Sequence, residues 1–115
     1  MRFSDLSTPL ATEIQREMAA SYFAACKKMV SCLEALKAFD RAHASAALTQ
    51  DQITRRSELF EKAVERVHFV IIQREALELS GDEAQFFRDY AIPEEIRMHL
   101  KPKRLSNEGS NHSPA

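Results

Sequence analysis

The chain has 115 residues, 44% of them hydrophobic and 29% charged, with only two Gly and four Pro. That length suits one domain with a modest core and excludes two independent ones, and the scarcity of turn-formers excludes a loop-rich chain over most of its length. Sixteen basic residues against seventeen acidic ones leave a net charge of −1, so no global field draws the molecule to nucleic acid, anionic lipid or an acidic substrate.

The opening residues Met1-Arg2-Phe3-Ser4-Asp5 turn polar at once, and the longest purely apolar run, Phe69 to Ile72, is far too short to span a bilayer. The expectation is a cytoplasmic protein with no membrane partner. Thr8-Pro9 then opens a first helix, because the Thr oxygen can cap a free N–H and Pro at the first helical position loses no hydrogen bond. No Gly or Pro intervenes before about His43. Met18, Tyr22, Ala25, Met29, Cys32, Leu36 and Phe39 recur at spacings of four and three, the seam a helix presents to a neighbour. Ala19, Cys26, Val30 and Leu33 stand beside the seam, with Phe23 further round, so this apolar face is wider than one neighbour needs.

Cys26 and Cys32 lie about 240° apart around the helix and roughly 9 Å apart along it, so they cannot bridge each other; both read as small buried hydrophobes. The stretch from His43 to Thr49 holds no Gly and reads as a short connection. Thr49 with Gln52 forms a capping box, and Leu48 with Ile53 a hydrophobic staple, which together mark the start of a second helix. Ile53, Phe60, Ala63, Val67 and Val70 continue its seam, with Val64 and Ile71 alongside, until Ser80-Gly81 supplies a stop. Two long helices joined by a short connection pack antiparallel.

Phe69, Ile72, Ala76 and Leu79 also follow three and four spacing but point away from the first seam, so the second helix has a further apolar face. Phe86, Phe87 and Tyr90 on a short helix begun at Ser80 or Asp82, then Ile92, Ile96 and Leu100 on another begun at Pro93, are predicted to fold back and dock on it. The Ala91-Ile92-Pro93 junction separates the two, because the residue before Pro is pushed out of the helical region. The predicted fold is therefore all-α: a long antiparallel helical hairpin (about 9–43 and 50–79) with two short C-terminal helices (about 82–90 and 93–100) packed on the second. Residues 1–100 form one helical domain, and 101–115, with only Leu105 and Ala115 apolar, a disordered polar tail.

Chemistry finds little footing. Glu65 and His68 have the Glu-x-x-His spacing of di-iron bundles, but pairing Phe39 with Ile53 places Lys27 and Lys28 where a facing carboxylate ligand should stand. A phosphotransfer histidine lacks its usual His-x-x-Lys-Gly setting at both His43 and His68. There is no Ser/His/Asp or Cys/His spacing, no Gly-rich phosphate loop and no zinc-type pairing, so neither an enzyme nor a cofactor or metal site is expected. Arg97, Lys101, Lys103 and Arg104 make a small basic cluster, but no aromatic is interleaved for base stacking, which leaves nucleic acid a distant alternative. Arg74 occupies a seam position. Level pairing sets it by Met18, and an ion pair with Glu17 is the expected compensation.

The stretches Leu36-Lys37-Ala38-Phe39-Asp40, Gln73-Arg74-Glu75-Ala76 and Asp89-Tyr90-Ala91-Ile92-Pro93-Glu94-Glu95-Ile96-Arg97 resemble those of a group of short, uncharacterised bacterial helical proteins, over residues 10 to 100. The resemblance implies a domain of unknown function and carries no active site. What the residues themselves suggest is a protein-interaction module. The stripe Ala19, Phe23, Cys26 and Val30 is the expected contact, covered by a second copy in a four-helix core or by the helix of another protein, as in an anti-sigma factor or secretion chaperone.

Overall fold

A computed structural model describes residues 9–77, 79 and 83–100. The predicted cap at Thr8, the stop at Ser80-Gly81 and the tail 101–115 lie outside the described residues. The fold is all-α. Helix α1 spans Pro9–Ala42, α2 spans Gln50–Ala76, α3 spans Glu83–Asp89, and a fourth helix, α4, covers 94–100. Among the described residues no helix is long and apolar enough to cross a membrane.

The helix boundaries follow from local chemistry. At Thr49 the capping box is complete: the Gln52 N–H donates to the Thr49 hydroxyl at 3.2 Å, and the Thr49 N–H donates to Gln52 Oε1 at 2.9 Å. These satisfy N–H groups that a bare helix start leaves open. Helix α2 ends three residues earlier than the spacing predicts, with the Leu77 N–H returning to the Gln73 carbonyl and the Leu79 N–H to that of Arg74. Helix α3 ends in a Schellman motif built on alanine. The Ala91 N–H donates to the Arg88 carbonyl and the Ile92 N–H to that of Phe87, while Ala91 takes φ 50°. That left-handed position ordinarily belongs to glycine and costs an alanine ~1–2 kcal/mol. Lys37 of α1 donates from Nζ to the Ala91 carbonyl at 2.9 Å, which holds the corner against the hairpin.

Tyr22, Ala25, Cys26, Met29, Leu33 and Leu36 of α1 meet Ala63, Val64, Val67, Val70 and Ile71 of α2 in one buried cluster, and Phe86, Ile92, Ile96 and Leu100 belong to the same cluster. The C-terminal helices therefore pack on α2 and on α1 together, lying in the groove between them. Phe86 sits under the Arg74 guanidinium, Glu95 reaches Arg56 near the connected end, and His99 meets Phe60 edge-on as α4 turns back along α2.

This placement corrects the expected docking face. Phe69 is 45% exposed and Ile72 48%, Ala76 is exposed, and none of the three is covered. A groove with two apolar walls buries more of an amphipathic segment than the convex back of one helix, so the segment goes there.

Candidate functional site

Arg74 is where the packing is least conventional. It stands half-buried among seam residues, and the expected ion pair with Glu17 does not form. Instead Arg74 Nη1 donates to the Tyr22 hydroxyl at 3.2 Å, and the guanidinium lies over the Phe86 ring at 4.8 Å. The physical reason is side-chain lean. Helical side chains tilt toward their own N-terminus, so a long Arg reaches the facing residue one turn nearer the connection than its backbone level indicates. Arg56 does the same, reaching Asp40 from the other end of the same helix.

Cys26 and Tyr90 complete the cluster. A hydrogen bond with the Cys26 thiol, burial and the nearby thiol charge together push the Tyr90 phenol up to about 12. Burial raises Tyr22 as well, with the hydrogen bond from Arg74 opposing it. Both phenols are thus neutral at physiological pH, and neither offsets the charge on Arg74. Cys26, read both as a small buried hydrophobe and as a member of the contact stripe, is buried at 6% exposure beside these two rings and so leaves the stripe. The remainder of that stripe is open, with Phe23 at 69% and Val30 at 39% exposure and Ala19 exposed.

Beside Arg74 lies an open groove of about 610 Å³. Ala19, Tyr22 and Phe23 of α1 form one wall, and Leu77 and Leu79, where the chain leaves α2, form the other; Gln15 stands at its end. Leu79 thus separates from Phe69, Ile72 and Ala76, with which its spacing had grouped it. The structure brings Ala19 and Phe23 together with Arg74 and Leu79, and sends Cys26 inward and Phe69 and Ile72 to the back of α2. Sequence reasoning missed Tyr22 as the partner of Arg74. The signal was two residues with polar tips, an Arg and a Tyr, each at a seam position of facing helices.

On another side, Glu65 and His68 share a cleft of about 340 Å³ with Glu61 and His99. Among the described residues no three His, Cys, Asp or Glu side chains are grouped so as to hold a metal ion. Arg97, the start of the basic cluster, lies over the Phe87 ring at 5.9 Å. No protein-family model matches the chain, and neither a curated protein nor a solved structure does.

Proposed function

We propose that the protein is an interaction module, cytoplasmic and non-enzymatic, that pairs with a second copy of itself through the outer face of α2. The observation that carries this is the uncovered stripe Phe69, Ile72 and Ala76 on a helix whose opposite face is buried from Ala63 to Ile71. The stripe itself runs ~10 Å along α2, and the ~40 Å length of that helix lets the contact extend beyond it toward the roughly 800 Å² per partner that a stable interface buries.

Helical spacing puts Glu58, Lys62 and Glu65 along the outer face of α2 on the connection side of the stripe, a polar rim beside its apolar end. The free thiols of Cys26 and Cys32 suit a reducing compartment.

Sedimentation equilibrium at micromolar concentration tests the reading. The expected species is a dimer, and Phe69→Glu is expected to yield a monomer of unchanged helix content. A wild-type monomer would overturn self-pairing. If a second protein then co-purified stoichiometrically from native cells and Phe69→Glu released it, the same face would serve a heteromeric partner.

A further inference from the structure

The groove beside Arg74 has a chemistry that the α2 dimer does not use. We propose that it binds an amphipathic monocarboxylate, with the carboxylate on the Arg74 guanidinium and the apolar chain along Ala19, Phe23, Leu77 and Leu79.

Arg74 is a cation held half-buried at the edge of the groove. A half-buried cation is costly unless something anionic or strongly hydrogen-bonding meets it. Among the described residues Arg74 has no carboxylate within ion-pair distance, and its contacts are one neutral hydroxyl at 3.2 Å and one aromatic face at 4.8 Å. A guanidinium has five N–H donors in one plane. The Phe86 ring occupies the face of that plane and Tyr22 takes a donor on Nη1, so among the described residues no acceptor meets the remaining edge, which suits a planar acceptor such as a carboxylate. Tyr22 and Phe86 also fix the group in place, which lowers the entropy lost on binding.

The walls supply the other half of the ligand. They are the side chains of Ala19, Phe23, Leu77 and Leu79, and an exposed Phe is a surface that an apolar chain covers favourably. At about 610 Å³ the groove lies within the size range of small-molecule sites.

Size also separates this ligand from a protein partner. From Gln15 to Phe23 the groove follows α1 for ~12 Å, or about two turns, which is short for a stable helix-in-groove interface.

Titration calorimetry with decanoate, at concentrations below micelle formation, tests the proposal on the full chain. Saturable one-to-one binding is expected, with decyltrimethylammonium binding at least about tenfold more weakly because a cation faces Arg74. Arg74→Met is expected to weaken decanoate by about tenfold or more while leaving the response to 1-decanol unchanged. Phe23→Ser, at an exposed position that leaves the fold intact, weakens both and carries the test if Arg74→Met fails to fold. Absence of saturable binding, equal affinity for the two charged amphiphiles, or full binding by Phe23→Ser would overturn it. So would an acidic amphipathic peptide whose binding to this groove decanoate fails to displace, since the occupant would then be a protein. Phe69→Glu should bind decanoate like the wild type, which keeps this result independent of the dimer.

Discussion

Tyr22 and Tyr90 are the chain's only phenols, and they meet across the Cys26 thiol from two different elements, α1 and the corner after α3. Each has its pKa raised: Tyr22 chiefly by burial, Tyr90 chiefly by its hydrogen bond with Cys26 and then by burial, to about 12. A phenol whose folded pKa exceeds its unfolded value of about 10 favours the native state in its neutral form. Its contribution is therefore complete below about pH 10 and is lost as pH rises through about 12. Phenolate absorbance followed from neutral to strongly alkaline pH should show no tyrosine titrating at the free value, and the urea midpoint should fall over that same alkaline interval. Tyr90→Phe should remove the later component. Two tyrosines titrating together near pH 10 would show that the corner does not hold Tyr90 against Cys26.

Among the elements, one guanidinium ties three helices. Arg56 of α2 engages Asp40 of α1 through Nε and Nη2 at 2.8 and 3.1 Å, and Glu95 of α4 through Nη2 and Nη1 at 3.0 and 3.3 Å. The hydrogen bonds from Arg56 hold the Asp40 carboxyl below its usual range against the opposing effect of burial, with the charges of Arg56 and His43 assisting. A depressed carboxyl stabilises the fold above its unfolded pKa of about 3.9, and that contribution is lost as pH falls through the folded value. The Asp40 side chain is 47% exposed, so screening limits each pair to ~0.5–1 kcal/mol, or ~1–2 kcal/mol for the joined set. Arg56→Met should cost about that much at pH 7, with the gap to wild type closing below about pH 4 in urea titrations. A gap that persists in acid would assign the loss instead to the Phe60 ring, over which the Arg56 guanidinium lies at 5.9 Å. The start of α2 was legible in the sequence because Thr49 and Gln52 act within four residues of chain. The end of α3 was legible only as a break before Pro93. Its left-handed residue was hidden because Ala91 stands where glycine would have announced it, and the corner persists through contacts from Lys37 that are remote in sequence. The partner of Arg74 was hidden for a different reason: level pairing counts backbone positions, while a long side chain acts one turn away.

At the scale of the whole molecule, the hydrophobic pattern announced three helical layers but not how the third would sit. Phe69, Ile72 and Ala76 form a regular stripe, and a stripe on a helix invites a cover. The pattern along one helix does not report the groove that two helices make together, and that groove takes Phe86, Ile92, Ile96 and Leu100. The same geometry closes over Cys26 and leaves Ala19, Phe23 and Val30 outside, so the candidate surface survives in part and shifts toward Arg74 and Leu79. The two arrangements make opposite demands on stability. With the third layer in the groove, Phe86 is 2% exposed and Phe86→Ala should cost about 3–5 kcal/mol, the range for deleting a buried aromatic. Phe69 is 45% exposed, and Phe69→Ala should change the stability of the protomer by roughly 0.5 kcal/mol or less. Urea unfolding at sub-micromolar protein, where self-association no longer contributes, measures both. A large loss at Phe69 with a small one at Phe86 would return the C-terminal helices to the back of α2 and remove the free surface on which the proposed dimer depends.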